Sequence, residues 1–126
     1  MTTQTAVIVP NPLPDLVQAE RFLTLLDEDA EFFTFQTFDD LKARKDHSLA
    51  RILHGELAQY ATDLQRLQWR RAGVYVTVNE TDQQGRKLHN MVRPRAIWCE
   101  WDRAGQTPPQ WPIEPHCIVE SSPGKF

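Results

Sequence analysis

Glu100 and Asp102 stand two residues apart in the run Arg95-Ala96-Ile97-Trp98-Cys99-Glu100-Trp101-Asp102. In an extended strand, residues i and i+2 point the same way, about 6–7 Å apart. Two carboxylates at this spacing can aim at one point, as oxygen coordination of Mg²⁺ or Mn²⁺ requires. A pair of such ions about 4 Å apart can activate an attacking hydroxyl and stabilise a leaving pyrophosphate. Taken alone, an acid-x-acid pair is equally the pattern of two solvated acids at a strand end. A second candidate lies at Ser121-Ser122-Pro123-Gly124-Lys125, after an apolar run. Such a turn can offer backbone N–H groups and a lysine to phosphates. It is not the Gly-x4-Gly-Lys-Ser/Thr loop that opens a helix in nucleotide triphosphatases, and it reads equally as a solvated turn.

The elements that must position these residues follow from periodicity. Residues 1–14, with Pro10, Pro12 and Pro14, read as an extended arm. Asp15 stands at an N-cap position, and Leu16, Ala19, Phe22/Leu23 and Leu26 recur at helical spacing, which predicts an amphipathic helix over 15–28. Glu31 to Phe38 alternates Phe and Thr as a strand does. Leu49, Leu53, Leu57, Tyr60, Leu64 and Leu67 again follow helical spacing. Gly55 interrupts that series at a cost of about 1 kcal/mol. The expected helix therefore runs from Glu56 to Arg71, with an irregular lead-in before Gly55. Val74, Val76 and Val78 alternate with Tyr75, Thr77 and Asn79 as a strand with one buried face. A polar loop over 79–90, a strand over 92–102 and a short strand over 116–120 complete the series. In the strand over 92–102, Ile97, Cys99 and Trp101 would face the core, while Trp98 would share the face of the two acids. The order of elements predicts an α/β (α+β) fold, a two-layer sandwich with a mixed or antiparallel sheet.

Length and composition set the frame. A chain of 126 residues with 25% charged side chains suits one domain with one core. No apolar run reaches the roughly 18 residues of a membrane-spanning helix. The first residues lack the basic and apolar regions of a secretory signal. Two cysteines make no disulfide framework, and Cys99 is expected as a buried thiol, so the expected location is cytoplasmic. The net charge of −3 conceals a division: residues 1–41 carry −7 and residues 42–126 carry +4. The acidic total excludes a general nucleic-acid sponge, while the basic portion can still present a local cationic surface. The four histidines and two cysteines fit no zinc spacing.

Several segments stand in a telling order: Gly73 to Asn79, Gly85-Arg86-Lys87, Asn90-Met91-Val92-Arg93, Ile97 to Asp102, and Ile118 to Phe126. Together they resemble the RepB-type primase domain of phages and plasmids, part of the archaeo-eukaryotic primase (primase-polymerase) superfamily. The resemblance covers about residues 30–126 and is more specific than either motif alone. It implies a partial RRM-like primase core with flanking helices and a metal-dependent nucleotidyltransferase that primes DNA replication. Glu100 and Asp102 match the family's acidic pair, which binds Mg²⁺ or Mn²⁺ and is catalytic. Ser122 and Lys125 match the start of a nucleotide-binding motif. Asn79, Arg86 and Arg93 fall in the strand-loop-strand leading to the acids, where a template or phosphate contact is the implied role and an ordinary loop position the alternative. The implied partners are a DNA template, nucleoside triphosphates and a helicase or other replication protein, with no membrane; an open sheet edge would favour a homo-oligomer.

Two departures stand out. The first acid is Glu where the family has Asp, which moves its oxygens outward, and Trp101 is bulky between the acids. The family's histidine is expected just after position 126, and its third motif later still. Residues 15–126 are thus expected to be the N-terminal part of such a domain, with little polymerase activity alone. A non-catalytic module binding single-stranded DNA or a replication protein is the alternative.

Overall fold

In the computed structural model, which describes residues 14–100, 110 and 113–119, helix α1 spans Leu16–Leu26. Asp15 caps it by accepting from the Gln18 backbone N–H at 3.0 Å, satisfying one of the donors a helix start leaves free. Strand β1 (Phe33–Asp39), strand β2 (Arg51–Gly55) and strand β3 (Ala72–Val76) form a three-stranded sheet in the order β2-β1-β3, antiparallel throughout. Helix α2 (Leu57–Trp69) carries the chain from one edge strand to the other, past β1. A short antiparallel hairpin follows, β4 (Glu80–Thr81) with β5 (Met91–Arg93).

The two helices share one face of the sheet. Phe33 and Phe35 point toward them and are buried with Leu23 of α1 and Leu64 of α2, while Leu53 and Val76 pack at the margin. Burying each such side chain contributes about 1.5–3 kcal/mol. A second cluster joins Leu49, Leu67 and Ala72. Thr37 closes the turn into β2: its hydroxyl donates to the Leu49 carbonyl at 2.6 Å and accepts from the Arg51 N–H at 3.1 Å. The architecture is α+β in two layers, as expected from the order of elements.

Several boundaries differ from the sequence-based expectations. Residues 51–55 are a strand rather than an irregular lead-in, because β1 supplies a hydrogen-bonding partner that helical leucine spacing cannot reveal. β3 ends at Val76, and Thr77 instead donates its N–H to the Thr34 carbonyl at 2.8 Å. Of the strand expected over 92–102, residues 92 and 93 pair within β5 and residues 94–100 are irregular, while 101 and 102 lie outside the described residues. Pro94 has no N–H to continue the ladder. Cys99 and Ile97, expected to face a core, are exposed.

Residues 14–96 form one compact unit. The described residues beyond Ala96 belong to another and contain no helix or strand, so the short strand expected over 116–120 is absent over 116–119. The arm expected over 1–14 lies, except for Pro14, outside the described residues. Among the described residues no helix is long and apolar enough to cross a membrane.

Candidate nucleic-acid interface

Strand alternation sends Thr34, Gln36 and Phe38 of β1 to the face opposite the helices. Their register partners on that face are His54 and Ile52 of β2 and Tyr75 and Gly73 of β3. One end of this face is covered: Thr81 of β4 meets Thr34 hydroxyl to hydroxyl at 2.7 Å, and the Thr34 hydroxyl also contacts His54 Nδ1 at 2.9 Å. The other end is open. Phe38, Ile52 and Tyr75 are 47%, 49% and 53% exposed, far from the burial large apolar side chains usually reach on a sheet.

The Tyr75 ring leans back over Gly73. A Cβ at position 73 would lie 2.8 Å from both a ring carbon and the hydroxyl oxygen, so the absence of a side chain there lets the ring lie along the sheet. Phe38 meets this ring edge-on, with centroids 5.9 Å apart and planes at 61°, a favoured aromatic geometry.

Arg86 reaches the middle of the face from the loop between β4 and β5. Its Nη1 donates to Oε1 of the buried Gln36, and its Nε to Thr77 Oγ1 at 3.1 Å. Both acceptors are neutral, and among the described residues no carboxylate forms an ion pair with it. The loop that carries Arg86 is braced from within. Buried Asn90 donates from Nδ2 to both Asp82 carboxylate oxygens at 3.2 Å and accepts at Oδ1 from the Lys87 N–H at 3.0 Å. The Asp82 N–H donates to the Asn90 carbonyl at 2.9 Å.

The other sequence-predicted residues are placed differently. Arg93 is ion-paired with Asp27 at 2.6 Å and Glu80 at 2.9 Å, so its charge is already neutralised. Asn79 accepts at Oδ1 from the Arg95 N–H at 3.4 Å and steers the exit of β5. Glu100 sits in the irregular segment after Pro94 and is exposed, not on a paired strand. Trp98, expected to share its face, is 67% exposed. Asp102, Ser122 and Lys125 lie outside the described residues. Among the described residues no three His, Cys, Asp or Glu side chains converge to hold a metal ion. Of the two acids singled out by sequence, the described residues include Glu100 alone.

Phe38, Tyr75 and Gln36 were not candidates by sequence. Nothing local in the sequence marks the face that carries them as open. Compared with protein-family models, curated proteins and solved structures, the chain has no match.

Proposed function

We propose that this chain carries elements of a primase-type nucleotidyltransferase of the kind found in phages, plasmids and integrated elements. The reading is supported by the order of its segments: the strand at Gly73, the Gly85-Arg86-Lys87 loop, the Asn90 to Arg93 strand, the Glu100/Asp102 pair and the Ser121 to Lys125 turn. The α+β fold of residues 14–96 is of a class compatible with it.

In this reading Glu100 and Asp102 hold Mg²⁺ or Mn²⁺, Ser122 and Lys125 meet the triphosphate, and a DNA template and nucleoside triphosphates are the substrates. When bound, the metal supplies positive charge to the phosphates undergoing transfer. Lys125 adds a further cation against the triphosphate. The longer side chain of Glu100 relative to aspartate places its oxygens about one methylene further from the chain, and a glutamate carboxylate at that reach still offers hard oxygen ligands to Mg²⁺ or Mn²⁺.

Isothermal titration of Mn²⁺ into the 126-residue protein and into a Glu100→Ala/Asp102→Ala double variant tests the metal site. The expected result is saturable binding by the wild type and its loss in the variant. Equal binding by both proteins would remove the acidic pair from the chemistry and the reading with it.

A further inference from the structure

We infer that the open face of the three-stranded sheet takes single-stranded nucleic acid, with Tyr75 as a stacking surface for an unpaired base and Arg86 as a phosphate ligand. The identity of the strand as DNA rests on the priming function proposed above; the geometry of the face stands apart from it.

Two demands on this face must be met together. The half-exposed Tyr75, Phe38 and Ile52 call for an apolar, planar occupant. Arg86, beside them, calls for an anion. Its guanidinium has five N–H donors, and the two neutral acceptors Gln36 and Thr77 leave most of that capacity unused. They also fix the group over the sheet rather than letting it extend into solvent. None of the sheet positions on this face is acidic: Thr34, Gln36 and Phe38 on β1, Ile52 and His54 on β2, Gly73 and Tyr75 on β3. An apolar protein surface laid here would bury the arginine without a counter-charge, which is costly. A polynucleotide supplies flat bases and phosphates at alternating intervals and satisfies both demands.

The geometry favours a single strand over a duplex. A base can lie on an aromatic ring only when it has left its own stack. Tyr75 offers a ring that leans over Gly73, and Phe38 buttresses it edge-on. Since every base has a π-face, such a platform reads little sequence. It suits a protein that must follow a template of any composition.

The test is fluorescence anisotropy of a labelled oligothymidylate with the 126-residue chain in EDTA, without nucleotide, over a series of salt concentrations. Because neither metal nor triphosphate is present, a failure of the acidic-pair site leaves this result untouched, and the reverse also holds. Expected are binding at low salt, tighter than to a duplex of equal length, and weakening by about ten-fold or more in Tyr75→Ala, from the usual worth of one stacked base. Tyr75→Phe should bind as the wild type does. Arg86→Ala should reduce the salt dependence by about one ion. Circular dichroism of each variant checks that the sheet is intact, and Arg86→Ala carries the test should Tyr75→Ala unfold. Absence of binding at low salt would overturn the inference, as would unchanged affinity in both alanine variants. So would a wild-type dimer that Tyr75→Ala converts to monomer without change in oligonucleotide binding, since the face would then belong to a second copy of the chain.

Discussion

Arg95 donates from Nε to Asp27 Oδ2 at 2.9 Å, joining residues 68 positions apart in sequence. The same oxygen accepts from Arg93 Nη2 at 2.6 Å. Arg95 also donates to the Phe32 carbonyl at 3.2 Å and lies 4.7 Å from the Phe33 ring centroid. One carboxylate at the end of α1 thereby fastens the hairpin and the chain leaving it to the start of β1. The Arg95 side chain is 3% exposed, so Asp27 is the counter-charge of a buried guanidinium.

Removing the carboxylate should therefore cost more than a surface ion pair. Asp27→Ala is expected to destabilise the fold by on the order of 2 kcal/mol, through an arginine left buried without its acceptor. Arg95→Lys should also destabilise the fold, since an ammonium cannot serve Asp27, Phe32 and the Phe33 ring at once. Urea denaturation midpoints of the variants check both.

Asp39 ties the loop after β1 to the strand end. Its carboxylate accepts from Arg44 at 2.8 and 3.0 Å and from the backbone N–H groups of Asp46 at 2.7 Å and Leu41 at 2.9 Å. The Arg44 guanidinium, above all, and then those backbone N–H groups hold its carboxyl well below the usual carboxylate range. Asp27, beside Arg95 and Arg93, is lowered as well. A carboxyl lowered on folding stabilises the native state at pH values above its unfolded pKa of about 3.9. That contribution is lost as pH falls below it toward the folded value. Stability should thus be flat through neutrality and fall from about pH 4 downward. Asp39→Asn should be less stable at pH 7 and show a shallower acid limb, as thermal melts between pH 2 and pH 7 would reveal.

Gly55 ends β2 at φ +150°, a backbone region that side chains rarely adopt. A Cβ there would also collide with the Gln59 amide and press against the Tyr60 ring, whose hydroxyl donates to the His54 carbonyl at 2.9 Å. Gly55→Ala is expected to cost about 2 kcal/mol from strain and displacement of Tyr60. Chemical denaturation monitored by circular dichroism measures it.

Gly73→Ala should behave differently. The atoms a Cβ would meet belong to the outer end of the Tyr75 ring, which is half exposed and can swing away. Stability should change by no more than about 0.5 kcal/mol, while the Tyr75 and Phe38 ring protons lose their mutual nuclear Overhauser contacts. Retention of those contacts would show that Gly73 is not what allows the ring to lie along the sheet.

How much of this was legible in the chain itself depended on the range of the interaction involved. The α1 helix was readable because its cap and its apolar stripe are neighbours in sequence: an expectation of 15–28 meets an observed Leu16–Leu26. The strand at Val74 and Val76 was readable for the same reason. β2 was not, since Leu49, Leu53 and Leu57 stand at helical spacing and only the ladder to β1 turns residues 51–55 into a strand.

The candidate site divides along the same line. Sequence alone identified Arg86 and Arg93 as cations in a strand-loop-strand, and it had no means of separating them. Tertiary structure neutralises Arg93 with Asp27 and Glu80 and sets Arg86 against Gln36 and Thr77, over an open aromatic face. Local periodicity records what a residue's neighbours favour. Which charges meet, and which face of a sheet stays uncovered, are decided by contacts between segments far apart in the chain.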